Sequence, residues 1–171
     1  RQRLEITSYL HKDVKITFDD HTSGKKETYQ HHHGIADYLK KILTQRHAKP
    51  VHDAAFSLDK NSGDRIETVF QWTESTDEDI RSYVNGIPTT SGGTHENGFR
   101  AGLTKAIRNY IDTHNLMPRG VKITHEDIRE GLIGVLSIFL RDPQFQGQTK
   151  ERLNNPELAS VIDAAVRPTL E

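Results

Sequence analysis

The sequence predicts a domain of mixed helices and strands, and two kinds of pattern predict it. Four short stretches alternate apolar and polar residues with the period of a half-buried strand: Val14 to Phe18, Ala55 to Leu58, Ile66 to Trp72 and Ile80 to Val84. Longer stretches opening at Gly34, Thr94 and Pro156 space their apolar residues at the period of a helix. A further run, Leu132 to Leu140, is almost continuously apolar, as a strand covered on both faces must be.

Taken in order, Arg1 to Leu10 reads as the end of a helix and leads into the first alternating run. Thr22-Ser23-Gly24 then turns the chain into a polar return strand over Lys25 to Gln30, a helix-and-hairpin unit too small to fold alone. Ile35, Tyr38, Leu39, Ile42 and Leu43 line one face of a helix that ends before Pro50. The turn sequence Asn61-Ser62-Gly63 separates two of the next three runs, which are expected as three successive antiparallel strands. From Thr94, the residues Phe99, Leu103, Ala106, Ile107, Tyr110 and Ile111 form a helical stripe expected to pack on the sheet. Arg100, Lys105 and Arg108 occupy the adjacent arc, and a solvated charged face is the simpler reading of it. Thr124 and Asp127 have the spacing of a capping box before the apolar run. Pro143 ends that run, a loop bearing Gly147 leads to Lys150, and Pro156 to Val166 closes the chain as an amphipathic helix.

With 171 residues, the chain has room for one domain, or one domain and a piece of another, and buries roughly 70% of its unfolded surface. The 23 Lys and Arg against 24 Asp and Glu give a net charge of −1, which argues against a protein that coats nucleic acid by bulk attraction. Any DNA contact must be local. The absence of cysteine excludes disulfides, thiol catalysis and Cys-based zinc sites. No apolar run approaches a membrane span and Arg1 opens no signal peptide, so a soluble, cytoplasmic protein with no membrane partner is expected. The start without methionine, in the middle of a helix pattern, suggests a piece of something longer.

Several chemistries fail on spacing. His95-Glu96 and His125-Glu126 each begin a zinc-protease signature, but Phe99 and Arg129 stand where the second histidine ligand is needed. No Gly-x-Ser-x-Gly elbow, dinucleotide glycine motif or Walker-type phosphate loop is present. His31-His32-His33 offers at best two imidazoles to one metal, so no metal site is expected. A small enzyme using His95 or His125 with its neighbouring glutamate stays open on the residues alone.

Two runs carry more. Gly92-Gly93-Thr94-His95 and, much later, Gln146-Gly147-Gln148-Thr149-Lys150 each place glycines beside polar donors at the edge of a regular element. Exposed backbone N–H groups and a side-chain cation can meet an anion there. A lysine fixed at its base by a buried strand can form a charge-assisted bond worth roughly 1.5 to 3 kcal/mol. On the residues alone, an ordinary surface lysine after a loop is the simpler reading.

Together with Gly98-Phe99-Arg100, the run Glu126-Asp127-Ile128-Arg129-Glu130-Gly131-Leu132 and Asp142-Pro143-Gln144-Phe145, these segments resemble the transducer domain of the bacterial type IIA topoisomerase B subunit, the family of gyrase and topoisomerase IV. The resemblance covers essentially the whole chain. Residues 1 to 30 look like the C-terminal tail of the GHKL ATPase domain and residues 31 to 171 like the transducer. The implied fold is α+β, a two-layer sandwich of an about four-stranded mixed sheet on helices, with a left-handed βαβ crossover against the usual hand.

The resemblance also implies a function. Gln148 and Lys150 would contact the γ-phosphate of ATP, so that ATP binding and hydrolysis drive N-gate closure and DNA strand passage. Arg100, Lys105 and Arg108 become candidates for a cavity that holds DNA. ATP with magnesium is the implied cofactor of the intact subunit, with none expected on this fragment. The implied partners are the GHKL domain of the same subunit, a second B subunit, the topoisomerase A subunit and double-stranded DNA. The family's ATP-site glutamate and asparagine, its Toprim domain and its cleaving tyrosine fall outside these residues, so the fragment alone is expected to be inactive, with no catalytic residue of its own. Two departures stand out: His31-His32-His33-Gly34 replaces a commoner acidic and diglycine stretch, and Asn85-Gly86-Ile87-Pro88 a commoner Asn-Asn-Ile-Pro. A plain DNA-binding module using the basic helix flank is the alternative.

Overall fold

A computed structural model describes residues 1–171, which part into two compact units, Arg1–Ala48 and Lys49–Glu171. No helix is long and apolar enough to cross a membrane. The first unit holds α1 (Gln2–Leu10), the antiparallel hairpin of β1 (Ile16–Asp20) and β2 (Lys25–Tyr29), and α2 (Ile35–Gln45). The expected turn is held by the Asp20 carboxylate, which accepts the backbone N–H of Thr22 at 3.0 Å and of Ser23 at 3.3 Å. Leu10, Leu39 and Ile42 are buried, Tyr9 stacks on Tyr38 at 5.0 Å, and Lys41 pairs with Glu5 across α1 and α2.

The second unit contains β3 (Phe56–Ser62), β4 (Asp64–Trp72), β5 (Asp79–Val84), β6 (Ile87–Pro88), α3 (Thr94–Thr113), α4 (His125–Arg129), β7 (Leu132–Phe139) and α5 (Leu158–Leu170). Its strands form one mixed sheet in the order β3-β4-β7-β5-β6. This corrects the expectation of three successive antiparallel strands. β3 and β4 do form a hairpin about Gly63, but β7 enters between β4 and β5, antiparallel to the first and parallel to the second. The reason is burial: Ile133 and Val135 on one face of β7, and Leu132, Leu136 and Ile138 on the other, are all fully buried, which requires a central position. The sheet has five strands rather than about four. The fifth, β6, is only two residues long and turns back from β5 through Asn85 and Gly86, both at positive φ (50° and 78°), as the tightest hairpins require.

One sheet face and the helices α3 and α5 make the two layers of the α+β sandwich. Ile66, Phe70, Val84, Leu132, Leu136 and Ile138 meet Phe99 and Leu103 of α3 and Ile162 and Val166 of α5 in one core. Phe70 is its centre, edge-on to Phe99 at 5.3 Å and 5.8 Å from Trp72. The stripe of α3 is buried at Phe99, Leu103 and Ala106, but Tyr110 is 51% exposed and packs on His114 instead. Small side chains at Ala54, Ala55 and Ala106 leave a groove of about 590 Å³ there, which Tyr110 borders without filling. The capping box at Thr124 forms as expected, Asp127 N–H donating to Thr124 Oγ1 and Thr124 N–H to the Asp127 carboxylate.

The α3–α5 contact is unusually close. A Cβ added to Gly98 would lie 2.8 Å from Ala159 Cα, nearer than real Cβ atoms come to backbone. Gly98→Ala is therefore expected to force the two helices apart and to destabilise the domain by about 1–3 kcal/mol, read as a lower unfolding midpoint in denaturant.

Candidate functional site

The two glycine-bearing runs meet in space. Leu153 is fully buried; its N–H donates to Gly92 O at 3.1 Å and its carbonyl accepts from Thr94 N–H at 3.1 Å, a parallel bridge between the loop after β7 and the start of α3. Gly93, at φ 142°, makes this possible, since a Cβ there would fall 2.6 Å from Leu153 N and closer still to its carbonyl oxygen. Ser91 N–H extends the contact to Glu151 O at 2.9 Å. The expectation that the first run exposes its amides to an anion is thus corrected. Gly92 and Gly93 are buried, and the amides of Gly92 and Thr94 are taken by Thr89 O and Leu153 O, so this run is the anchor of the loop.

The loop is itself a short hairpin. Gln146 N–H donates to Arg152 O at 2.8 Å and Asn154 N–H to Gln144 O at 2.7 Å, while Phe145 pairs with Leu153 and packs against the core. At its tip Gln148, Thr149 and Lys150 are exposed. Lys150 has a left-handed backbone (φ 57°), and its ammonium stands 6.0 Å from the Phe145 ring, the reach of a weak cation–π contact. It is not tied into the interior of its own domain.

Arg100, Lys105 and Arg108 do gather at one place. With His125 and Arg129 they line a cavity of about 520 Å³ between α3 and α4. Most of this charge is already answered. Arg100 pairs with Glu78 at 2.8 Å and Glu96 at 2.9 Å, Arg129 also reaches Glu78 at 3.5 Å, and Lys105 pairs with Asp163. Arg108 bonds the carbonyl of Ile123 at 3.2 Å. Sequence reading missed Glu78, whose carboxylate joins α3 to α4, because a single acidic residue between strands carries no pattern.

Beneath the anchor lies a buried polar cluster. Ser82 donates to Glu96 Oε1 at 2.5 Å and bonds Thr89 Oγ1 at 2.6 Å, and Thr89 Oγ1 bonds His95 Nε2 at 2.8 Å. His95 has no exposed surface, and burial, with the Arg100 charge in support, pushes its imidazole down to about 4. A histidine sealed in this way cannot reach a substrate, which removes the His95-Glu96 pair as a catalytic dyad. In the histidine triplet, His31 stacks on Tyr9 at 3.7 Å and His32 pairs with Asp13 at 2.8 Å.

This architecture is that of ATPase-region structures of type II topoisomerases. The crystal structure of the 43K ATPase domain of Thermus thermophilus gyrase B, solved in complex with an aminocoumarin, matches 99% of this chain and 45% of its own, with a TM-score of 0.85 and 30% identity. The B subunit of DNA gyrase from Archaeoglobus fulgidus is 38% identical over 165 residues, and that of DNA topoisomerase 4 from Pseudomonas aeruginosa 34% over 165 residues; each match covers 96% of this chain. The chain spans 26% of the length of either relative. A family model described as DNA gyrase B matches residues 34–171, and the chain belongs to that family.

The sealed imidazole has a measurable consequence. The unfolded chain takes up a proton at His95 near its ordinary 6.5, whereas the folded protein does so only near 4. Its titration therefore has no effect on stability above pH 6.5, and its neutral burial lowers stability by roughly 3 kcal/mol as pH falls from 6.5 to 4. Denaturant unfolding at pH 7.5 and 4.5 is expected to show a smaller acid loss in His95→Gln than in the parent protein.

Proposed function

We propose that this chain is the transducer of an ATP-dependent type IIA topoisomerase B subunit, coupling ATP binding and hydrolysis to N-gate closure and DNA strand passage. In this reading residues 1 to 30 are the tail of the GHKL ATPase domain and residues 31 to 171 the transducer. The observation that carries it is the exposed Lys150 ammonium at the tip of a hairpin whose base is locked to α3. Lys150 pairs with the γ-phosphate of ATP held by the ATPase domain, and the Gln148 amide donates beside it. A charge-assisted bond of roughly 1.5 to 3 kcal/mol shifts a two-state equilibrium by roughly ten- to 150-fold. Loss of the terminal phosphate removes that bias.

The residues present suit phosphate contact and not metal ligation, since no group of three or more His, Asp or Glu gathers to hold an ion. Magnesium that accompanies ATP is held by the ATPase domain in this reading. The cytoplasm, a second B subunit, the A subunit and duplex DNA are its setting and partners. Arg100, Lys105 and Arg108 face the DNA cavity, with Arg108 the best placed because it spends its guanidinium on a carbonyl rather than a carboxylate. The carboxylates beside the other two argue against the alternative of a free-standing DNA-binding module.

In the intact subunit, Lys150→Ala is expected to lower ATP turnover by about ten-fold or more, the loss of one charge-assisted bond, while the circular dichroism spectrum stays unchanged. Near-normal turnover would defeat the assignment. Residues 1–171 alone are expected to show no salt-sensitive duplex binding; tight binding that weakens steeply with salt would favour the DNA-binding module instead.

A further inference from the structure

We infer that Asn155 is a positioning residue for the phosphate-contact loop, its buried amide setting where Gln148 and Lys150 stand. The inference rests on the role proposed above for those two residues. Asn155 is 5% exposed, and its side chain bonds to the chain on both sides of the hairpin. Oδ1 accepts the backbone N–H of Gln144 at 2.6 Å, while Nδ2 donates to the carbonyl of Asp142 at 3.2 Å and to Glu157 Oε1 at 3.1 Å.

The partners fix the orientation of the amide. Two acceptors claim the NH₂ group and one donor claims the oxygen, so the reverse placement would set oxygen against oxygen and N–H against N–H. One side chain thus ties the exit of β7, the first strand of the hairpin and the entry to α5. The other ties at the loop base are of different kinds: the backbone ladder from Gln144 to Asn154 pairs the two arms with each other, the Leu153 bridge and the Ser91–Glu151 bond hold the returning arm beside α3, and Phe145 packs the outgoing arm on the core without a polar bond to α5. Without the amide, the outgoing arm at Asp142 and Gln144 loses its link to the start of α5. The offset of the tip from the domain is then set by the returning arm and Phe145 alone and is less tightly held, and a lysine that must meet one phosphate oxygen is sensitive to such an offset. Aspartate is no substitute despite its shape, since its second oxygen would face the Asp142 carbonyl and the Glu157 carboxylate.

The test is steady-state ATP hydrolysis by the intact B subunit, comparing Asn155→Ala, Asn155→Asp, Lys150→Ala and the double variant Asn155→Ala/Lys150→Ala. Both Asn155 variants are expected to lower kcat by about ten-fold with KM for ATP within about two-fold, the pattern of a contact made after substrate binding. Adding Asn155→Ala to Lys150→Ala is expected to cost nothing further, because the two act through one contact. Should Asn155→Ala lower the unfolding temperature of the subunit, Asn155→Ser, which keeps a hydroxyl in the same space, replaces it with the same expected outcome. A normal kcat in the Asn155 variants beside a slow Lys150→Ala overturns the inference and leaves the reading of the loop standing. A full additional loss in the double variant overturns it too, as a general structural effect. Normal turnover by Lys150→Ala instead defeats the reading of the loop itself.

Discussion

A strand with no polar face can lie only in the middle of a sheet, and β7 imposes that condition on the rest of the second unit. Its two neighbours, β4 and β5, are made earlier in the chain and must leave a gap between them for a strand that arrives after α3 and α4. Because β5 and β7 run parallel, their C-terminal ends emerge side by side. Asn85 fastens that edge, its side chain bonding both the N–H and the carbonyl of Leu140. The chain leaving β5 turns back through β6 to Gly92-Gly93, and the chain leaving β7 goes on to the lysine hairpin. The two motifs, far apart in sequence, then meet through the bridge of Leu153 to Gly92 and Thr94.

The same arrangement separates two uses of positive charge. On α3 and α4 the arginines serve as cross-braces, with Glu78 shared between Arg100 and Arg129. Asp163 on α5 is shared in the same way by Lys105 and Arg167. Burial pushes its carboxyl up, yet the hydrogen bonds from Arg167 and Lys105 outweigh this and hold it below the usual carboxylate range. Lys150 sits at the opposite extreme, exposed on a turn and resting only against an aromatic ring. Charge committed to carboxylates holds helices in place, while charge left in water is available for a ligand.

Much of this was legible in the residues. The alternating runs become β1, β3, β4 and β5, the helical runs become α2, α3 and α5, and the uninterrupted apolar run becomes the central strand. Periodicity reports which face of a strand is buried and not which strand lies beside it, so the insertion of β7 between β4 and β5 could not be read. It also overstated α3, since a helical stripe continues through Tyr110 whether or not anything covers that turn. Of the site, Gln148 and Lys150 stood out only through family resemblance; by composition they belong to an ordinary loop. Gly92 and Gly93 stood out as glycines whose amides could meet an anion, but their lack of a side chain serves to admit Leu153 instead. Asn155 left no signal, because the burial of one amide depends on contacts that no local pattern encodes.

The glycines of α3 have a mechanical meaning. Gly98 and Gly102 let α5 lie against α3 at backbone contact, and Leu153 is stitched to the head of the same helix. With Asn155 holding the outgoing arm as well, the lysine finger has no hinge at its root. A displacement of its returning arm bears directly on the head of α3 and, through the close approach at Gly98 and Gly102, on α5.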